Sequence, residues 1–138
     1  MPTDKSYVFD ANSLVSAVLL PGSVPRRAFD KACASGRILL SQPTINELDD
    51  VLRRPHLEKY IREEERIHFL VVLIREAQVI SVEETITDCR DPKDNKYLEL
   101  AVTAGATCIV TGDDDLLVLD PYRGIPIVTP RQFLDAEM

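Results

Sequence analysis

An α/β fold, built on a parallel sheet of about five strands with helices over both faces, is what the chain predicts. Three observations carry this. Five short apolar, β-prone runs are separated by helical segments, the alternation that gives parallel strands. Pro and Gly sit where helices start and stop, as local punctuation and not in linkers. The chain has 138 residues, 45% of them hydrophobic and 28% charged, the composition of one globular domain that can bury a core without disulfides or structural metals.

Strand one covers about 6–10. A short helix over 13–20 is stopped by Pro21-Gly22, and a second runs over 25–35 with Pro25 at its start and Gly36 past its end. Strand two is 37–41. Pro43 then opens a helix that stops near Arg54, because Pro55 disfavours a helical conformation before it. Residues 57–76 read as one long helix. Ile67, Leu70, Val71 and Ile74 form its stripe, and Phe69, Val72 and Leu73 make it apolar nearly all round. Such a helix is buried on more than one side, as a core helix or at a homodimer interface. Strand three is 77–82, a helix covers 93–104 with Gly105 as its stop, and strand four is 107–111. A short helix follows over 114–119, then strand five over 125–128. Thr129-Pro130-Arg131-Gln132 reads as a capping box opening a last helix.

Several function classes are excluded or made remote. No apolar run approaches the ~20 residues of a membrane span. Met1-Pro2-Thr3-Asp4-Lys5 lacks the basic and apolar regions of a signal peptide, so a cytoplasmic protein is expected. Cys33, Cys89 and Cys108 have no paired spacing and read as reduced, partly buried small hydrophobes. His56 and His68 lack ligand spacing, so a bound metal would be held by oxygen, favouring Mg²⁺ or Mn²⁺ over Zn²⁺. A net charge of −7 argues against gripping nucleic acid by charge alone, though not against an enzyme whose acids are neutralised by cations.

The chemistry-bearing residues are carboxylates placed after strands. Asp10 ends strand one, Glu47 follows strand two, Asp94 follows strand three, and Asp113, Asp114 and Asp115 follow strand four. In an open parallel sheet the strand ends form the edge where ligands bind. Each acid has a structural explanation of its own. Asp10 can cap the first helix, although Asn12 and Ser13 serve equally. Glu47 closes the box Thr44-Ile45-Asn46-Glu47, unless Pro43 takes the first helical position and makes Gln42 the cap. Asp94 can cap its helix. If Asp91 caps with Pro92 first, Asp94 instead falls in phase with Leu98 and Ala101 on the buried face, a costly place for a lone charge. One of Asp113, Asp114 and Asp115 can cap the short helix.

Taken together the acids mean more. Two carboxylates about 5 Å apart repel by roughly 3 kcal/mol at an effective dielectric near 20. Four in one place must raise their pKa values or recruit cations. Hard oxygen ligands suit Mg²⁺. Such ions orient a water, lower its pKa and stabilise charge on a scissile phosphate. The combination points to metal-assisted phosphodiester hydrolysis.

At these residues the chain resembles the PIN-domain ribonucleases, the fold of the VapC-like toxins of toxin–antitoxin pairs. Val8-Phe9-Asp10-Ala11-Asn12 resembles the family's strand followed by Asp-x-Asn. Ser41-Gln42-Pro43-Thr44-Ile45-Asn46-Glu47-Leu48 resembles its Glu-bearing helix. Asp94 with Ala101 seven residues later resembles the third motif, and Thr111-Gly112-Asp113-Asp114-Asp115 the last, Thr-x-Asp-x-Asp. The match covers nearly the whole length and implies a single nuclease domain over 1–138. It implies a three-layer α/β/α sandwich with strand order 3-2-1-4-5. It also implies catalytic acids Asp10, Glu47, Asp94 and Asp113 around Mg²⁺ or Mn²⁺ with Asp115 auxiliary, cleavage of single-stranded RNA, and dimerisation. Residues 90–96 and 124–134 resemble the subgroup of toxin components, which implies a small antitoxin partner. Asp91 stands as an alternative to Asp94.

Arg26, Arg27, Arg53, Arg54, Lys93 and Lys96 are candidate contacts to the RNA backbone, each equally explained as a solvated face. Two other readings remain: a catalytically weak scaffold acting as a protein- or RNA-binding module, and an acid-cluster phosphoryl-transfer domain. The second lacks the Asp-x-Asp expected after strand one, where the chain has Asp10-Ala11-Asn12.

Overall fold

The computed structural model describes residues 4–138, so Met1, Pro2 and Thr3 of the stretch read for a signal peptide lie outside the described residues. Five parallel strands, β1 (Ser6–Phe9), β2 (Arg37–Leu40), β3 (Gln78–Val79), β4 (Cys108–Val110) and β5 (Ile127–Val128), form one sheet in the order β3-β2-β1-β4-β5. Around it run α1 (Ala11–Leu19), α2 (Val24–Ser35), α3 (Gln42–Leu52), α4 (Glu63–Glu76), α5 (Asn95–Ala104), α6 (Asp114–Leu117) and α7 (Pro130–Asp135).

The central strands are apolar at successive positions because both faces are covered. Alternate side chains go to opposite sides. Tyr7, Phe9, Ile38, Leu40, Cys108 and Val110 enter one core with Leu14, Ala28, Ala32, Leu48, Leu52 and Phe133 from α1, α2, α3 and α7. Val8, Leu39 and Ile109 enter the other with Leu98, Ala101 and Leu116 from α5 and α6. The expected α/β/α sandwich, with its strand order, is what forms.

Four local expectations need correction. The long helix over 57–76 is a 3₁₀ turn at Pro55–Leu57 followed by α4 from Glu63. Nor is α4 buried on several sides. Leu73 and the aliphatic stem of Arg66 are its buried positions, with Arg66 Nη1 on Asp49 Oδ1 at 2.7 Å. Phe69 and Leu70 pack partly, and Ile67, Val71, Val72 and Ile74 are exposed, Val71 by 48%. Among the described residues one layer packs on α4, and its outer apolar side is exposed. Strands three and five are two residues each, so the predicted ranges overran. Cys33 is exposed, since Ala28 and Ala32 set the inward line of α2; Cys89 and Cys108 are buried and all three thiols are free.

Gly36 ends α2 for a different reason from Gly105. Gly105 adopts the left-handed conformation (φ 65°) that favours glycine at a helix end. Gly36 is extended, and a Cβ there would stand 2.2 Å from the carbonyl oxygen of Lys5. That carbonyl accepts from Arg37 N at 3.1 Å, so the contact belongs to the seam where β2 docks beside the segment entering β1.

Candidate functional site

The carboxylates collect beyond the C-terminal ends of the strands. Asp10 directly follows β1 and caps α1, with Oδ1 accepting from Ser13 N at 3.0 Å. Oδ2 accepts from the Thr111 hydroxyl at 2.6 Å. Asp10 is 5% exposed, and burial raises its pKa against those hydrogen bonds. Asn12 and Ser13 do not take the cap.

Thr111, fully buried after β4, joins two acids. Its hydroxyl donates to Asp10, and its oxygen accepts from Asp113 N at 3.0 Å. Asp113 in turn caps α6, with Oδ1 accepting from Asp115 N at 2.9 Å. Asp114 faces solvent.

Asp91 caps the turn that opens the next helix, accepting from Lys93 N at 3.0 Å, with Pro92 first after it. This leaves Asp94 without a capping role. It is 8% exposed, in line with buried Leu98 and Ala101, and its Oδ2 is buried without a hydrogen-bond partner. Burial, the neighbouring Asp113 carboxyl and the charges of Asp91 and Glu47 push its pKa up to about 7. Carboxylate oxygens of Asp91, Asp94 and Asp115 all lie within 4.8 Å of one another. Asp91 thus stands beside Asp94 in one cluster.

Glu47 approaches from α3. The true cap of α3 is Ser41, locked with Thr44 in a reciprocal capping box, with Pro43 second. That excludes both Gln42 as the cap and Glu47 as a box partner. Glu47 Oε1 accepts from the Tyr97 hydroxyl at 2.9 Å, and Oε2 is ion-paired with Lys96. The Tyr97 oxygen also accepts from Ala11 N at 3.0 Å.

The basic candidates are scattered. Lys93 and Lys96 share the turn of Asp94. Arg53 is paired with Asp49 at 2.8 Å and Arg26 with Asp30 at 3.2 Å. Arg53 and Arg54 follow the far end of α3, about 16 Å from its first turn. Sequence reasoning placed Thr111 in a motif without giving it a role, and missed Tyr97 and Arg90, whose guanidinium donates to Asp115 with Nε at 2.7 Å. The spacing of Tyr97 three residues after Asp94 was a usable signal; the Arg90 pair was not, since it joins residues 25 positions apart across α5 and β4.

All donors here are carboxylate oxygens, the hard set that suits Mg²⁺ or Mn²⁺. The unpartnered buried Oδ2 of Asp94 fits such an ion, because a buried acceptor otherwise goes unsatisfied. An open hollow of about 310 Å³ adjoins the acids, lined by Asp10, Asn12, Ser13, Ser16 and Asp113 among others. It leaves room for a substrate beside the carboxylates.

A parallel sheet with acids gathered at its carboxyl edge is an arrangement that could hold a divalent metal. Residues 6–115 match the PIN-domain family, and the chain belongs to it. PIN domains are generally nucleases, hydrolases that use divalent metals. An uncharacterized protein of Methanocaldococcus jannaschii is 30% identical, over 93% of this chain and 88% of that one. The crystal structure of PAE2754 from Pyrobaculum aerophilum is similar in fold, with a TM-score of 0.63 at 17% identity over 97% of this chain and 90% of that one.

Proposed function

We propose that the protein is a metal-dependent endoribonuclease that hydrolyses phosphodiester bonds of single-stranded RNA, acting as the toxin of a toxin–antitoxin pair. One observation carries the nuclease reading: Asp94 lies buried beside the Asp91 and Asp115 carboxylates with an oxygen that no protein group satisfies. Such a cluster makes sense around a cation.

Asp10, Glu47, Asp94 and Asp113 would hold the ion, with Asp115 auxiliary and Asp91 beside them. Bound Mg²⁺ or Mn²⁺ supplies charge neutralisation at a phosphate and lowers the pKa of a water. The chain's own part is placement. Thr111 keeps the Asp10 carboxylate turned toward the Asp113 loop. Asp94, whose pKa burial and its neighbours raise to about 7, would have to be deprotonated to serve as a ligand. Lys93, exposed beside Asp91, would meet an RNA phosphate, and Lys96 would do so when released from Glu47. No protein nucleophile is required.

Cleavage of single-stranded RNA with Mg²⁺ or Mn²⁺ tests this. Wild type is expected to cut, while Asp10→Asn and Asp94→Asn lose at least roughly a hundredfold, the scale set by electrostatic groups in such sites. Equal activity in all three overturns the site. A specific observation favours the other reading, a weak scaffold: Lys96 and Arg90 already neutralise Glu47 and Asp115. Calorimetry showing no Mn²⁺ binding at millimolar concentration would support it.

The toxin role rests on the resemblance of residues 90–96 and 124–134. Expression should slow growth, and co-expression of a small protein encoded immediately upstream should relieve it. A homodimer is proposed on the exposed apolar side of α4.

A further inference from the structure

We propose that Tyr97 is a positioning residue, which sets the Glu47 carboxylate for the metal by tying it to the first residue of α1. The inference rests on the metal-site reading above. Tyr97 is 1% exposed on α5, one turn after Asp94. Its hydroxyl donates to Glu47 Oε1 at 2.9 Å, and its oxygen accepts from Ala11 N at 3.0 Å. Ala11 immediately follows Asp10. One phenol therefore connects the elements that carry three acids: α3 with Glu47, the β1–α1 junction with Asp10, and the α5 entry with Asp94.

The arrangement is more than core filling. A phenyl ring would fill the same space among Val8, Leu39 and Leu98 with no polar atom to satisfy. A tyrosine hydroxyl is neutral at ordinary pH. It is therefore a permanent donor to the carboxylate. With the Tyr97 hydroxyl on Oε1 and Lys96 on Oε2, Glu47 has both oxygens engaged. A cation can displace the Lys96 ammonium, and the carboxylate that remains is still anchored by Tyr97. Partners of this kind fix the orientation of a ligand and commonly change metal affinity by about 10–100-fold.

The test measures Mn²⁺ binding by calorimetry in wild type, Tyr97→Phe, Glu47→Gln and the double variant, with thermal melts alongside. Tyr97→Phe is expected to weaken Mn²⁺ binding roughly tenfold. In the Glu47→Gln background the same change should have little further effect, because Tyr97 acts through Glu47. Loss of the Ala11 acceptor would lower the melting temperature in both backgrounds alike, so folding and positioning separate. Equal Mn²⁺ affinity of wild type and Tyr97→Phe overturns the positioning role and leaves the metal site standing, as does equal weakening in both backgrounds. A wild type that binds no Mn²⁺ overturns the site, and the positioning role falls with it.

Discussion

Asp94 is the residue at which the site's electrostatics are most uneven. Its carboxyl is raised to about 7 by burial and by its acidic neighbours. A raised folded-state pKa gives stability that is present below the ordinary carboxylate range and lost as pH rises through about 7. Metal-free wild type should therefore lose stability between pH 4 and pH 8, and Asp94→Asn should lose less. At pH 8 the variant should be the more stable by on the order of 1 kcal/mol, or roughly 4 °C in melting temperature, with the gap closing near pH 4. A wild-type melting curve no steeper in pH than the variant's would count against the buried cluster. The proton must leave when a cation binds, so Mn²⁺ affinity should rise from pH 6 to pH 8. At this scale much was legible. The spacing offered Asp91-Pro92 as the cap, and on that register the phase of Asp94 with Leu98 and Ala101; the structure chose it over Asp94 as the cap. Lys96 on Glu47 and Arg90 on Asp115 were not legible, because long side chains choose partners by proximity in space.

Among the elements, α4 and the end of α2 carry the clearest tests. The apolar positions of α4 suited either a core or an interface, and the monomer leaves Ile67, Val71, Val72 and Ile74 on the surface. If this side joins two copies, Val71→Glu should halve the mass seen by light scattering at micromolar concentration while changing monomer stability by less than about 0.5 kcal/mol. A wild type that is already monomeric removes the dimer. Gly36→Ala makes the opposite kind of prediction. A Cβ meeting the Lys5 carbonyl at 2.2 Å is a backbone-to-backbone clash, which no rotamer relieves. Chemical denaturation should show a loss of at least about 2 kcal/mol. The sequence indicated that a helix ends at Gly36. It could not indicate the approach of Lys5, which belongs to strand docking.

Across the whole molecule, metal binding and folding should be linked. A cation that binds the folded acids and not the unfolded chain stabilises by about 2.7 kcal/mol at a hundredfold excess over Kd. The melting temperature should climb with Mn²⁺ in wild type and stay flat in Asp94→Asn; a parallel climb in both would place the ion elsewhere. The sequence by itself determined the five-strand α/β pattern and the separate strand-end positions of the acids. These are short-range matters, set by apolar runs, Pro and Gly signals and helix phase. Only the tertiary structure decided which acids touch. Asp91 joined Asp94 and Asp115 within 4.8 Å, Asp10 was linked to Asp113 through Thr111, and Glu47 was tied to Ala11 through Tyr97. The tertiary structure also left one side of α4 uncovered. Parallel strands are joined by crossovers, so residues tens of positions apart meet at the sheet edge at distances that local sequence signals do not specify.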